Sequence, residues 1–419
     1  MIQHARIKGT RPSTASLHLV EDRGGRLKVG LAPQGGSHWI AGVVYLQNLV
    51  RALSMLPDQE RPLLCLLLGP TQRIGVHREL GHLLPPSKGY AFRAGQSLRS
   101  KLKSTVRSIG PTHRPTSLER LARTTRMSVL FPAQRSLGAD FPCPWIGWIP
   151  DFQHKHLPRF FSDDDVRRRD DTARRLVDEA PHIVVSSEDA YRDLVRWFPE
   201  VGERASKLPF ATVAAPEWYE GDPESVVRGL GLPQKYLMFP SQFWIHKNHH
   251  LLFDAIRLAS DALPDVALVC TGRMFDHRHP EHGTELLARL ETENLATRVH
   301  CLGLLDRYSQ IQLLRASAAV VQPSLFEGWS SLLEDARALG KKVYVSDIPV
   351  HREQDPPDAR FFDPHSPEEL ATLIAEDWES LTPGPHLERE LRARLFQDAR
   401  AVDFGRRFLD VVARTCNTW

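Results

Sequence analysis

The sequence predicts an α/β protein made of two doubly wound parallel sheets, one following the other along the chain. Three observations carry that prediction. At 419 residues the chain is too long for one typical core, so two domains are the default. Short apolar runs alternate with segments of helical period through both halves, the pattern of repeated strand–helix units. Finally, Ala319–Val345 reads as one complete strand–loop–helix–strand crossover.

Composition narrows the class. Hydrophobic residues make up 42% and charged residues 25%, and a net charge of +3 favours no polyanionic partner. The five cysteines are scattered without CxxC spacing, which points to a reducing compartment and away from zinc. No apolar run approaches the roughly 20 residues of a membrane-spanning helix. Residues 1–25 have no signal-peptide core and read as a polar arm. The expected location is therefore cytoplasmic, at most peripheral to a membrane.

In the first half, Leu27–Ala32 is a strand and Pro33 to Gly36 a turn-rich loop. His38 and Trp39 follow, as cleft-lining candidates or as ordinary loop packing. Ala41-Gly42-Val43 then opens a helix carrying Val44, Leu46, Leu49, Val50 and Leu53. Pro62–Leu68 is a second strand and Ser128–Phe131 a later one. Between them lie Arg93, Arg99, Lys101, Lys103, Arg107, Arg114, Arg120, Arg123 and Arg126, opposed only by Glu119. This stretch suits an anionic membrane surface or a diphosphate-linked ligand; a solvated helical face is the alternative. No Phe, Tyr or Trp falls among these charges between Arg93 and Arg126, so a nucleic-acid partner is not expected.

Trp145–Ile149 is a strand whose exit loop holds Asp151, His154, Lys155 and His156. In a parallel sheet that loop opens at the carboxyl edge, where ligands bind. Two histidines at i and i+2 without an obvious third ligand make a poor metal site. Ser162 followed by Asp163-Asp164-Asp165 reads as an N-cap and an acidic first turn. His182–Ser187 is a strand, Asp189–Phe198 a helix, and Lys207–Val213 the last strand of the first domain.

The second half alternates the strands Tyr236–Phe239, Ala267–Thr271, Val299–Leu302, Ala319–Val321 and Val343–Val345 with helices. Pro367–Leu381 and Leu387–Val412 are the final helices. Within the crossover, Ser330 and Ser331 precede an apolar-periodic helix closed by Gly340, with Lys341 and Lys342 beyond its C-terminus. The open amides from Gly328 through Leu332 would favour a phosphate or a polyhydroxylated ligand. Glu327 can accept hydrogen bonds from sugar hydroxyls, and Asp335, about one turn into the helix, suits a vicinal diol. The alternative is a plain loop acid and a solvated helix acid. Glu334 competes with Asp335, but one residue of register turns a side chain by about 100°.

The run SLFEGWSSLLEDARALGKK resembles the donor-site signature of the retaining, GT-B-fold family 4 glycosyltransferases. Glu327 takes its first acid position and Asp335 the second, where glutamate is usual; Ala336, Ala338 and Gly340 complete it. The segment HWIAGVVYLQNLVRAL resembles the family's first loop and helix, with Ala41 replacing a glycine. The loop after Trp145–Ile149 resembles its histidine–aspartate loop, with Pro150 in the histidine place.

The resemblance implies a GT-B fold of two Rossmann-like domains around a central cleft, with a C-terminal helix crossing back to the first. It divides the chain into a polar arm (1–25), an acceptor domain (26–214), a nucleotide-sugar domain (215–395) and the crossing helix (396–419). It implies Glu327, Lys247, Asp151 and His154 as catalytic residues. It places the donor, a UDP- or GDP-sugar, against Gln242, Lys247, Asn248, Thr271, Gly272, Arg273, Gly303, Leu304, Leu305, Glu327, Gly328, Trp329, Ser330, Ser331 and Asp335. Gln242 stands where the family carries an arginine, and Arg273 or Arg278 would restore the charge. Gly36, His38, Trp39, Ala41, Gly42 and His156 would face the acceptor, a saccharide or lipid-linked saccharide used in cell-surface glycoconjugate synthesis. The resemblance calls for neither metal nor further cofactor, since lysine and the helix terminus meet the leaving diphosphate. The Asp163–Asp165 run contains the DxD of metal-dependent GT-A enzymes, but at a helix start. A GT-B epimerase or phosphorylase, or a non-enzymatic module binding polyanions or membranes through Arg93–Arg126, are the rival readings.

Overall fold

The computed structural model describes residues 26–33, 40–68, 80, 89–93 and 116–419. Two all-parallel sheets follow one another. The first has seven strands, β1 (Lys28–Leu31), β2 (Leu63–Leu68), β3 (Gly89–Arg93), β4 (Val129–Ala133), β5 (Trp145–Ile149), β6 (His182–Val185) and β7 (Ala205–Lys207). Their spatial order is β3-β2-β1-β4-β5-β6-β7. The second has six, β8 (Leu237–Pro240), β9 (Leu268–Thr271), β10 (Val299–Cys301), β11 (Ala319–Gln322), β12 (Val343–Ser346) and β13 (Ala359–Phe362), ordered β10-β9-β8-β11-β12-β13.

Both orders reverse direction, at β1/β4 and at β8/β11, and a parallel α/β sheet opens its ligand crevice at such a reversal. Continuous apolar strands fit sheets covered on both faces: every residue of β4, β5, β11 and β12 is buried.

Most expected strands appear within two residues of their sequence-derived ends. Lys207–Val213 is a correction. The strand is Ala205–Lys207, and the apolar residues Leu208, Phe210, Ala211 and Val213 then leave the sheet as a buried connector packed into the first core. Strands β3 and β13 were not expected. The three acids 163–165 fill the first turn of the Asp163–Glu179 helix, where Ser162 Oγ accepts from the Asp165 amide at 3.2 Å.

The C-terminal helix Leu387–Asn417 ties the two units together. Near its start Glu390 forms a buried ion pair with Arg315 (2.8 Å), and Arg400 reaches Glu334 (2.7 Å). Farther along, Phe404 and Phe408 pack on Tyr45 and Phe131 of the first domain. Gly405 lets this helix close on the Ile40–Met55 helix; a Cβ there would lie 3.2 Å from the Ala52 carbonyl. Among the described residues no helix is long and apolar enough to cross a membrane. Nor is any group of His, Cys, Asp and Glu there placed to hold a metal ion.

Candidate active site in the interdomain cleft

A cavity of about 1020 Å³ lies between the carboxyl edges of the two sheets. The loops leaving β8, β9, β10 and β11 form its second-domain wall, and those leaving β4, β5 and β6 the wall opposite. The walls approach closely at Gly328, where a Cβ would stand 2.3 Å from the Pro150 carbonyl and 3.0 Å from Asp151 Cβ. Only glycine lets the β11 exit loop meet the β5 exit loop this tightly.

Glu327 is the centre of the second-domain wall. Its Oε1 accepts from Lys247 Nζ at 2.5 Å and from Gln322 Nε2 at 2.8 Å, while no donor among the described residues reaches Oε2. Both partners are largely buried, with side chains 15% and 9% exposed for Lys247 and Glu327. Beneath them His351 is fully buried, and that burial pulls its pKa down to about 4, so the ring is neutral.

Ser330 caps the Ser331–Ala338 helix by accepting from the Leu333 amide at 3.3 Å. The Ser330 amide is not open as expected, because Gln354 Oε1 takes it at 2.8 Å. The amides of Ser331 and Leu332 have no acceptor among the described residues and remain available at the cavity. Asp335 lines the cavity; its Oδ1 accepts from Thr212 Oγ1 (2.9 Å) and Arg307 (2.7 Å). Glu334, one residue earlier, is buried on the opposite side against Arg400, Gln354 and Gln397. The register argument separates the two acids.

Residues 224–400, which include every strand of the second sheet, match the family model for glycosyl transferases group 1. The match is confined to the second domain and the first part of the C-terminal helix. No curated protein matches the chain significantly. Among solved structures, HepE from Anabaena in complex with UDP and glucose is similar at 17% identity and a TM-score of 0.63, over 92% of this chain and 99% of that one. Sucrose-phosphate synthase from Thermosynechococcus elongatus is similar at 14% identity and 0.64, over 93% and 100%. The E. coli trehalose-6-phosphate protein bound with UDP-2-fluoro glucose is similar at 12% identity and 0.54, over 92% and 98%. The fold is GT-B.

The fold brings most of the expected donor residues to this one cavity: Gln242, Lys247, Thr271, Gly272, Leu304, Leu305, Glu327, Gly328, Trp329, Ser330, Ser331 and Asp335 all line it. Gln242 Oε1 is buried there without a donor, a cost that a ligand hydroxyl or amide would relieve. Gly272, at φ +135°, passes so near β8 that a Cβ would lie 2.2 Å from the Ser241 carbonyl.

Three donor expectations change. Asn248 does not line the cavity; its side chain holds the Pro323 and Pro364 carbonyls at 3.1 and 2.8 Å and braces the loop. Arg273 is outside the lining as well, and Gly303 is a left-handed turn residue (φ +69°) whose carbonyl takes the Gly272 amide. Besides Lys247, the second-domain cations that reach the cavity are Arg278 and, unexpectedly, Arg307. Arg307 follows the N-cap Asp306 on the β10 exit, so the carboxyl-edge rule applied to that loop would have found it.

On the first-domain wall, Ala41 and Asp151 line the cavity; Gly42 is buried in its helix instead. Gly36, His38 and Trp39 lie outside the described residues, as does most of Arg93–Arg126. His154 borders the cavity, but its Nε2 is engaged by Asp170 at 2.9 Å and its Nδ1 is sealed from solvent. Burial lowers its pKa, and neither nitrogen is positioned to take a substrate proton. His156 is turned out of the cleft: the exit loop coils into a short helix, Gln153–His156, which sends its ring to Asp193 (2.6 Å) and Phe326.

Proposed function

We propose that this protein is a glycosyltransferase that moves a sugar from a UDP- or GDP-sugar to a saccharide or lipid-linked saccharide, with retention of anomeric configuration. The observation that carries the reading is the Lys247–Glu327 pair beside the open Ser331 and Leu332 amides, with Asp335 on the same wall. Glu327 Oε2 accepts from the donor's sugar hydroxyls. Asp335 takes the ribose, held in place by Arg307 and Thr212. As the bond from the anomeric carbon to the diphosphate oxygen breaks, Lys247 and the helix amides meet the charge developing on that oxygen. The acceptor hydroxyl enters from the first-domain wall beside Asp151, bonds to the anomeric carbon and yields its proton to the departing diphosphate. That solved structures of the same fold hold UDP or UDP-2-fluoro glucose supports a nucleotide donor.

The work is placed in the cytoplasm, at the inner face of the membrane, where arginines of the 93–126 stretch suit anionic lipid. Thermal shift of wild type and Glu327→Ala against UDP-, GDP-, ADP- and TDP-sugars tests the donor reading. Stabilisation by one nucleotide family, reduced in the variant, supports it; no stabilisation at concentrations far above ordinary Kd values contradicts it.

A further inference from the structure

Six cationic side chains line the cleft cavity against three carboxylates, and they are unevenly distributed. On the second-domain wall every cation is matched: Lys247 with Glu327, Arg307 with Asp335, and Arg278 with the buried Asp276. The first-domain wall carries Arg135, Arg168 and Arg169 with one lining carboxylate, Asp151, which lies 3.9 Å from Arg169.

Nearby acids neutralise this wall only in part, through Asp165 on Arg168 and the distant Asp151 on Arg169. Asp170 is taken by His154 and Lys155, and Glu179 accepts from Ser136. Arg168 pairs along its own helix with Asp165, leaving its side chain 71% exposed, and Arg135 has no ion-pair partner among the described residues. The cleft therefore focuses positive potential on the side away from the donor wall.

The placement is specific as well as charged. Arg135 leaves the end of β4. Arg168 and Arg169 lie on the Asp163–Glu179 helix with Thr172 and Ala173 one turn on, so two adjacent rows of that helix face the cavity. Arg169 is steadied by Phe161, whose ring lies 4.8 Å from it and 4.7 Å from Arg278 of the opposite wall.

We infer that the acceptor carries a phosphate group, bound by Arg135, Arg168 and Arg169. The inference rests on the donor occupying the opposite wall as proposed above. A carboxylate would be satisfied by one guanidinium fork, whereas a doubly charged phosphate has oxygens for several. The same chemistry is offered by a soluble sugar phosphate and by a lipid-linked diphosphate.

Isothermal titration of the full chain with glucose 6-phosphate, farnesyl diphosphate and uncharged glucose, each with and without UDP, separates the cases. The expected result is that one phosphorylated probe binds more tightly than glucose. Its binding weakens about tenfold or more in Arg135→Gln/Arg168→Gln, the size of a lost charge-assisted contact, while UDP affinity is unchanged. Glucose 6-phosphate binding names a soluble acceptor; farnesyl diphosphate binding names a lipid-linked one. The inference is overturned if neither phosphorylated probe binds, if the variant binds them equally, or if UDP affinity falls with the arginines, which would assign them to the donor. Failure of wild type to bind either UDP or GDP, titrated separately, contradicts the donor reading alone, and the nucleotide-free titrations still decide whether the arginines bind phosphate.

Discussion

Lys247 Nζ lies 2.5 Å from Glu327 Oε1, although the two residues leave different strands of the second sheet and are 80 positions apart. The pair is nearly removed from solvent, so each charge depends on the other, and together they define the donor wall. Lys247→Met is expected to lower Tm, consistent with roughly 3 kcal/mol for orphaning a buried carboxylate. It is also expected to reduce kcat by about a hundredfold or more through lost charge stabilisation. Calorimetric unfolding and turnover on one preparation check both.

Gly328 sits where the two domains touch, and Gly328→Ala sets a methyl against the Pro150 carbonyl. The clash is relieved by separating the walls. Turnover is expected to fall sharply while nucleotide affinity, proposed to rest mainly on the second-domain wall, changes little. Titration calorimetry beside steady-state kinetics distinguishes this from a misfolded variant.

Thr212, on the interdomain connector, donates to Asp335 at 2.9 Å, and its own carbonyl accepts from Gln397 of the C-terminal helix at 2.8 Å. Occupancy of the ribose site is thereby linked to the hinge. Thr212→Val is expected to weaken nucleotide binding by a factor of about 5 to 10, the worth of one hydrogen bond to a charged group. Thr212→Ser should restore it, as measured by Kd for the diphosphate nucleotide.

Much of this arrangement was legible in the chain. Ala319–Val345 switches from a short apolar run to helical period and back, and its caps sit where Ser330 and Gly340 promised. What escaped was tertiary. The strand Ala359–Phe362 carries Arg360 and no run of apolar residues long enough to register. Nothing local shows that Gly328 will meet Pro150, that Arg307 will find Asp335, or that a four-residue helix will turn His156 away while His154 stays at the cavity edge.

Two buried histidines make stability pH-dependent. Burial lowers the pKa of His182 and of His351 to about 4, from an ordinary value near 6.5. The unfolded chain therefore takes up protons before the folded one as pH falls, and stability is lost between about pH 6.5 and pH 4. Above that window these groups contribute no slope. Urea midpoints across this range check the slope, and His182→Asn should make it shallower by the share of one group.

The central claim is that the Lys247–Glu327 wall handles a nucleotide sugar. Release of nucleoside diphosphate from the nucleotide sugar that most stabilises the protein tests it most directly, measured for wild type, Lys247→Met and Glu327→Ala. The account predicts measurable release by wild type and a loss of about a hundredfold or more in both variants, with folding retained. Equal release by all three proteins would contradict it and move the chemistry away from this wall.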